Sequence, residues 1–582
     1  MKPRFQNSCI ARITLALTAG CFALHSVAQA ATYYWDNNTT TAGFGTAGGT
    51  WSSAGSTLWN NDLLGGSVGA PNTLGTSITT TTSDALFFGT DTLGLAAGTI
   101  TVSGTVSANS LTFGSASGAI LLSGGTINLG GTTPTITVNN TTNTISSGIT
   151  GSAGLTKAGT GALRIQVGSA YTGATTINGG KLQINNTSGS ANWTPGLIYI
   201  NNGSTLEFTG AGQTIMSGAT DNITFDSGGG GSMVMTKNTI WRNASIITTG
   251  GAKNTVSGTY FNGQAAGGSN RVIYGVAAGT DLGGIDLEVS SEHRNVGGIT
   301  KNGNGTLALT NNTNAMGAGA TIIINAGTVE IGGAGRLQSG SYAGAITNNG
   351  TFNYNSSADQ TLSGVISGNG ALVKSNASTL TLSGANTYTG ATTVSGAVLA
   401  VNASLGNTST TIGNLGTLQG SGTIVGSVTV ESGGTLAPGN SIESIGTGAL
   451  SFQSGSTYAY ELQTDLYAST PGVAADLTYS SGTLDITAGA ILTLTDLATS
   501  TALAGGSKFT LISHFGGWEG TELFSYDSGS GLATLADDST FTLGANQWLF
   551  NYNDIAGGDN YTSDQSGAGG YVTMTVIPEP NV

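Results

Sequence analysis

The densest run of titratable side chains lies between residues 281 and 294. It holds carboxylates, a histidine and an arginine: Asp281, Asp286, Glu288, Glu292, His293 and Arg294. A carboxylate pair beside an arginine can supply the acid and the base that cleave a glycosidic bond. Asp286, Glu288 and Arg294 are therefore the candidate catalytic residues of a polysaccharide lyase or hydrolase. The alternative, which we favour, is a solvated insertion between two repeats, since charge runs usually mark exposed faces.

Histidine adds little support for catalysis. Beyond the first 30 residues the chain has only His293 and His514. A Ser-His-Asp site would need one of them, but in a chain with so many serines and aspartates such a trio arises by chance. We expect both histidines to lie on the surface or in loops.

Three tryptophans stand near the start of the chain, and they allow two interpretations. Trp35, Trp51 and Trp59 could stack on sugar rings if their faces were exposed. Large aromatic residues at the start of a β-helix more often plug the end of its core. We favour the plug.

Oxygen-rich loops near the C-terminus raise the question of calcium. Asp554, Asp559 and Asp564 could hold this hard cation. Their spacing matches no known calcium loop, and unpaired acidic loop residues are the interpretation we favour. We predict no other metal and no small-molecule cofactor.

The elements that must position these residues are repeated units. The sequence YTGATT occurs at 171–176 and again at 388–393, inside matching blocks at about 155–184 and 372–401. A degraded third copy covers about 299–331. The repeated positions are Lys157, Tyr171 and Gly173 in the first block, and Lys374, Tyr388 and Gly390 in the second. Repeats that cannot bury a hydrophobic face alone imply a stacked, quasi-one-dimensional architecture.

The recurring lysines also allow two interpretations. Lys157, Lys301 and Lys374 stand at equivalent positions of the three copies. They could form a binding ladder along the stack, or each could be a structural residue at one corner of its repeat. We favour the structural role.

Composition predicts an all-β protein. The 582 residues include 96 glycines and only 8 prolines, and 8% of the residues are charged. Short segments alternate apolar with small polar residues and end at Asn and Gly, which favour tight corners. Such corners suit a hairpin or a β-helix coil. We predict a parallel β-helix, or β-solenoid, closed by a C-terminal β capping region, because Thr, Ser and Asn can form ladders between coils.

The predicted organisation has five segments. They are a signal peptide at 1–30, a Trp-rich N-terminal β cap at 31–100, the repeat-bearing β-solenoid at 101–440, an acidic and more aromatic β region at 441–575, and a tail at 576–582.

The first segment predicts export. A basic start, a short apolar run and the sequence Ala28-Gln29-Ala30 place signal cleavage between Ala30 and Ala31. The remaining chain has 12 basic and 29 acidic residues, a net charge of −17. An acidic exported chain without basic clusters is a poor candidate for binding nucleic acid.

Two resemblances follow from these motifs. The blocks resemble the autotransporter-associated β-strand repeat of bacterial exported proteins, and the first block keeps that pattern at Lys157, Gly159, Gly161, Leu163, Tyr171, Thr172, Gly173, Thr175 and Gly180. The tail residues Pro578, Glu579 and Pro580 resemble the start of a PEP-CTERM sorting signal, which in that family precedes a membrane helix and a basic cluster. That family is tied to export in bacteria that produce exopolysaccharide.

Together these features predict a non-enzymatic, exported β-solenoid at the cell surface, in the outer envelope or outside the cell. We expect it to serve adhesion, matrix association or structural display, with extracellular polysaccharide or cell-surface matrix, and the export and sorting machinery, as its partners. The alternatives are a carbohydrate-active β-helix enzyme and a polysaccharide-binding module.

Overall fold

Alternation of buried and outward side chains turns short segments of the chain into strands. In Thr135–Val138 (TITV), for example, Ile136 and Val138 point into the core and the threonines point outward. Each coil holds three such strands, and strands of successive coils pair in parallel. This computed structural model confirms the predicted all-β fold of stacked parallel coils.

The structure describes residues 30–578 with gaps. The gaps are residues 39–40, 67–73, 167–169, 188, 193–195, 218–221, 227, 237–238, 264–269, 281–283, 468–473, 499, 516–517, 519–522, 528, 530 and 561–568.

The coils stack so that their strands form three long faces. Face one begins with Thr32–Trp35, Trp59–Asn60, Ala85–Phe88, Ser110–Phe113, Thr135–Val138, Leu155–Ala158, Thr175–Ile177, Ile198–Ile200, Ile223–Phe225, Ser245–Thr248, Arg271–Val276, Gly298–Asn302, Thr321–Ile324, Ile346–Asn348 and Ile366–Ser367. It continues with Ser404–Leu405, Thr423–Ile424, Ser444–Thr447, Leu477–Ser480, Lys508–His514, Ser539–Leu543, Asn546–Asp554 and Gly570–Val576.

Face two is a single continuous parallel sheet. Its strands are Thr50–Ser52, Gly98–Ser103, Ile120–Ser123, Thr142–Ile145, Ala162–Gln166, Lys181–Asn185, Thr205–Thr209, Ser232–Met235, Asn254–Gly258, Leu287–Val289, Thr306–Leu309, Thr328–Gly333, Thr351–Ser356, Ala371–Lys374, Thr392–Val394, Thr410–Ile412, Val428–Val430, Leu450–Phe452 and Leu484–Ile486.

Face three is divided into consecutive sheets. Its strands are Thr105–Ala108, Thr126–Leu129, Gly148–Gly151, Ala170–Tyr171, Ser190–Asn192, Gln213–Ser217, Thr239–Arg242, Tyr260–Asn262, Glu292–Arg294, Ser341–Tyr342, Gln360–Leu362, Thr379–Leu382, Val398–Val401, Thr417–Gly420, Thr435–Pro438, Thr457–Leu462, Ile491–Asp496, Ser525–Asp527 and Leu532–Thr534. Two short 3-10 turns, Gln338–Gly340 and Thr464–Leu466, lie among the described residues.

Face one has no regular strand at residues 385–388, yet the stack is continuous there. The backbone N–H of Thr387 donates to the carbonyl of Ile366, 2.9 Å away, and the N–H of Asn386 donates to the carbonyl of Ser404 at the same distance. These bonds join the two series of face-one strands through this coil.

The core is a set of apolar stacks that run along the solenoid. On face two Leu163 pairs with Leu182 and Leu182 with Leu206, and all three side chains are fully buried. The chain thus advances 19 residues for the first coil and 24 for the second. Corner loops absorb the difference, since the strands themselves stay in register.

Polar side chains continue the same register on the outside. The amide of Asn201 donates to the side-chain oxygen of Asn178, 2.6 Å away on the previous coil, and Asn325 makes the same bond to Asn302 at 2.7 Å. These ladders are of the kind that the Asn-rich corners predict.

The parallel coils pass through residue 440, the boundary predicted between the solenoid and the C-terminal region. Thr435–Pro438 pairs in parallel with Thr457–Leu462, which pairs in parallel with Ile491–Asp496. In the C-terminal region, antiparallel pairing of the face-one strands begins where Lys508–His514 meets Gly570–Val576. Strands Asn546–Asp554 and Ser539–Leu543 extend that antiparallel sheet.

Candidate functional site

The repeated lysine is an inward-pointing residue in an otherwise apolar stack. Lys157 pairs with Ile136 on the coil before it and with Ile177 on the coil after it, and its side chain is fully buried. Lys301 and Lys374 are equally buried. The binding-ladder alternative is therefore wrong for these residues, because no part of their side chains reaches the surface.

Each ammonium group is held by oxygen atoms at a corner of the coil. Lys157 Nζ donates to the carbonyls of Ala158, Gly159 and Gly179 at 2.8, 2.9 and 3.0 Å. The other two copies repeat the arrangement: Lys301 donates to the carbonyls of Asn302, Gly303 and Ala326, and Lys374 to the carbonyls of Ser375 and Asn376 and to the Ser378 hydroxyl.

Burial outweighs these hydrogen bonds in setting the protonation of the lysines. Loss of hydration lowers the pKa of Lys157, Lys301 and Lys374 to about 8 in each case. At neutral pH the three side chains are therefore charged and use all three ammonium hydrogens to tie corners together.

The YTGATT sequence forms a second interior contact. The Tyr171 hydroxyl lies 2.8 Å from Thr175 Oγ1, and the Tyr388 hydroxyl lies 2.7 Å from Thr392 Oγ1. Tyr171, Tyr388 and both threonines are buried. The hydroxyl-to-hydroxyl bond satisfies both polar groups within an apolar interior, which explains why the motif keeps a tyrosine and a threonine four residues apart.

The glycine of the same motif is required by close packing between coils. A Cβ atom on Gly173 would overlap the backbone of Gly154, and one on Gly390 would overlap the backbone of Gly370. Any larger residue would push adjacent coils apart at this corner.

The candidate catalytic residues do not converge. Asp286 is buried, and its carboxylate accepts the backbone N–H groups of Gly279 at 2.5 Å and Thr306 at 2.7 Å. Glu288 points outward on face two, whereas Arg294 lies on face three. The alternative that Asp286, Glu288 and Arg294 act together in acid and base catalysis is therefore wrong, because Glu288 and Arg294 lie on different faces of the solenoid.

Their contacts account for these charges without a substrate. Glu288 lies 2.7 Å from Lys253, and Arg294 pairs with Glu292 at 2.7 Å. The Arg294 guanidinium also lies 4.1 Å from the centre of the Tyr260 ring. Asp281 lies outside the described residues.

Both histidines are buried, so the expectation of surface or loop positions is wrong. The His293 Nδ1 lies 3.2 Å from the Asn314 side-chain oxygen and Nε2 lies 2.7 Å from the Tyr274 hydroxyl. Because that oxygen can only accept, Nδ1 carries the proton and Nε2 accepts from tyrosine. Burial lowers the pKa of His293 to about 4, which keeps the ring neutral. His514 is also fully buried, within the strand Lys508–His514.

The three early tryptophans form a packed cluster at the start of the solenoid. Trp59 meets Trp35 and Trp51 edge to face, with ring centres 4.9 and 5.5 Å apart. All three side chains are 0% exposed. The sugar-stacking alternative is therefore wrong, because no indole face is open to a ligand. The three side chains instead plug the end of the core.

Comparison with known proteins identifies the type of the repeats. Residues 155–184, 299–331 and 372–401 match the passenger-associated-transport-repeat family model. The chain carries three passenger-associated-transport repeats.

A curated protein shares a longer stretch of similarity. The adhesin BmaC autotransporter of Brucella suis biovar 1 (strain 1330) is 28% identical over 376 residues, which cover 58% of this chain and 10% of that protein. The chain therefore spans about a tenth of that adhesin's length.

The passenger-associated-transport repeats do not all start on the same face. Lys157 and Lys301 lie on face-one strands, so those two copies begin there. Lys374 lies on the face-two strand Ala371–Lys374, so the third matched segment begins one face later. The repeat therefore specifies more than one turn of the coil together with its lysine-bound corner, and two different corners of the coil accept that lysine.

Of the three C-terminal aspartates considered for calcium, Asp554 has protein partners for its carboxylate. Asp554 accepts a 2.6 Å bond from Lys508 and a 2.9 Å bond from the Thr573 hydroxyl, while Asp564 lies outside the described residues. In the part of the chain that is described, no three His, Cys, Asp or Glu side chains form a group able to hold a metal ion. No helix among those residues is long and apolar enough to span a membrane.

The tail and the leader are described only in part. Pro578 follows the last strand and packs against Gly505. Glu579 and Pro580 lie outside the described residues, as does the predicted leader up to residue 29. Both the sorting motif and the cleavage between Ala30 and Ala31 stay predictions.

A groove on face one was missed by the sequence analysis. It has a volume of about 310 Å³ and is bordered by residues of four strands and their corners: Ser421, Gly422, Thr423, Ser444, Gly446, Thr447, Tyr479, Ser480, Ser481, Ser513 and Phe515. These residues are spread over 95 positions of a Ser- and Gly-rich sequence, so no local motif marks them. The only local signals were two aromatic residues, Tyr479 beside Ser480 and Phe515 two positions after Ser513.

Proposed function

We propose that this chain is an exported β-solenoid displayed at the cell surface, where its outer faces take part in adhesion or matrix association without catalysis. Extracellular polysaccharide or cell-surface matrix is the proposed partner. The leader and the PEP-type tail would direct the chain through the export and sorting machinery.

One observation carries this proposal. The passenger-associated-transport repeats are built into a continuous solenoid in which the repeated polar side chains face the interior. The motif therefore serves stacking, and binding is left to the variable outer surface. Similarity to part of a protein named as an adhesin and autotransporter supports the same role.

The candidate catalytic residues favour a binding role over turnover. Asp286 closes a corner through two backbone bonds, and Glu288 and Arg294 stand on separate faces. A glycosidase needs two carboxyl groups facing one bond, and these residues supply no such pair.

The test uses the purified full chain and a panel of acidic and neutral polysaccharides. Co-sedimentation measures binding, and the appearance of new chain ends measures cleavage. We expect binding to at least one polysaccharide and no cleavage. The proposal would be contradicted if the chain cleaved a polysaccharide and if Glu288→Gln or Asp286→Ala abolished that cleavage. The control variant is Glu431→Ala, at an exposed site, which should then keep the cleavage.

A further inference from the structure

The groove on face one has the chemistry of a saccharide site. We propose that it binds a short segment of a neutral polysaccharide. The proposal rests on the proposed function and deepens it by naming the surface and the ligand class.

The groove arises from the register of four neighbouring coils. Thr423 pairs with Gly446, Gly446 with Tyr479, and Tyr479 with Ser513. Because Gly446 has no side chain, it leaves open space between the side chains of Thr423 and Tyr479. A Cβ atom there would lie 3.1 Å from the Thr423 side chain and would begin to fill the space.

Two aromatic side chains border this floor. Tyr479 points outward from its strand, and Phe515, which is 55% exposed, follows the next strand on the same face. A sugar ring presents C–H groups that pack on aromatic faces, so both rings offer a stacking surface.

Hydroxyl groups supply the polar part of the site. Ser513 is only 5% exposed, borders the groove, and has no hydrogen bond from its hydroxyl to any described residue. Thr423 and Ser444 likewise make no side-chain hydrogen bond within the described residues. Each of these hydroxyls can donate one hydrogen bond and accept two, so all three are available to the hydroxyl groups of a ligand.

Charge decides between neutral and anionic saccharides. Among the residues that the structure describes, no charged side chain borders the groove. From residue 375 onward the chain has one basic residue, Lys508, against 16 acidic ones, and Lys508 is already paired with Asp554. Because anionic polysaccharides need cationic partners and this half of the solenoid would repel them, the ligand is neutral.

The test measures binding of oligosaccharides to the purified full chain by calorimetry and saturation-transfer NMR. The probes are neutral trisaccharides of glucose, xylose and N-acetylglucosamine, with oligogalacturonate as the anionic counterpart. We expect a neutral probe to bind. Tyr479→Ala should weaken that binding about tenfold, and Ser513→Ala about fivefold.

Tyr199→Ala is the matched control. Tyr199 also points outward on face one, between Thr176 and Thr224 of the neighbouring coils, but it does not border the groove. Its removal should leave the affinity unchanged. Urea unfolding of each variant checks that the fold is kept.

Three results would overturn the groove site: no neutral probe binds, oligogalacturonate binds in preference, or binding is equal in Tyr479→Ala, Ser513→Ala and Tyr199→Ala. These results are distinguishable from failure of the proposed function. Cells that adhere through the chain while every neutral probe fails would refute the groove alone. A chain that binds a neutral probe through Tyr479 but gives cells no adherence would refute the proposed function alone.

Discussion

At three corners of the solenoid an ammonium group occupies a place that a hydrophobic side chain would normally fill. A buried charge is costly unless hydrogen bonds replace its hydration. Lys374 meets that need with two carbonyls and a hydroxyl, and its ammonium also lies 5.3 Å from the centre of the Tyr354 ring. Lys374 therefore stabilises this corner, and the stability of the corner depends on that one side chain.

Removing one of these ammonium groups should destabilise the solenoid. Lys374→Met keeps a similar volume but leaves the carbonyls of Ser375 and Asn376 without their partner. We expect the free energy of unfolding to fall by about 2 kcal/mol, measured by urea unfolding. The matched control is Lys181→Met, which removes the ion pair between the exposed side chain of Lys181 and Glu207 and should cost about 0.5 kcal/mol or less. Equal effects of the two variants would contradict the structural role.

The same lysine predicts a dependence of stability on pH. Burial lowers the pKa of Lys374 to about 8, against 10.5 for a lysine in water. Between these values the unfolded chain binds more protons than the folded chain, so stability rises with pH. The difference in unfolding free energy between the natural chain and Lys374→Met should widen by about 1 kcal/mol per pH unit from pH 8 to 10. A constant difference would show that the lysine keeps its ordinary pKa, and a narrowing difference would show that folding raises it; either result would contradict the prediction.

At the scale of a coil, close approach between successive corners limits which residues are tolerated. Gly390 lies against the backbone of Gly370, whereas Gly275 in the strand Arg271–Val276 faces only the side chain of Ile247, with room for a Cβ at 3.5 Å. Glycine is therefore required for packing at position 390, whereas at position 275 it can be replaced.

A pair of alanine variants tests this difference. Gly390→Ala should lower the free energy of unfolding by about 2 kcal/mol, since the corner must move to admit the methyl group. Gly275→Ala should change it by less than about 1 kcal/mol. Urea unfolding followed by circular dichroism measures both, and a Gly390→Ala variant as stable as Gly275→Ala would contradict the packing argument.

Much of the coil was predictable because its signals are local. Alternation of apolar and polar residues marks strands such as Thr135–Val138, and the spacing of the YTGATT motif marks the repeat. The direction of Lys157 was not predictable, since one residue of register decides whether a side chain points inward. Nor was the burial of His293, which depends on Tyr274 on the face-one strand of the same coil.

At the scale of the whole molecule, the solenoid separates an interior geometry that repeats from coil to coil from an outer surface whose charge changes along the chain. Residues 157 to 374 hold eleven basic and nine acidic side chains, whereas the part beyond residue 375 has one basic and sixteen acidic ones. The sequence predicted this difference in charge directly. It could not predict the groove, because Thr423 and Ser513 are 90 positions apart and meet only through four coils in register.

We propose that the solenoid acts at the cell surface as an adhesive element. The direct measurement is adherence of intact cells that produce the full chain with an epitope inserted beside Leu415, which is 73% exposed. We predict that antibody labels the intact cells, that they adhere to a polysaccharide-coated surface, and that cells lacking the chain do not. Labelling only after lysis, or equal adherence with and without the chain, would contradict the account.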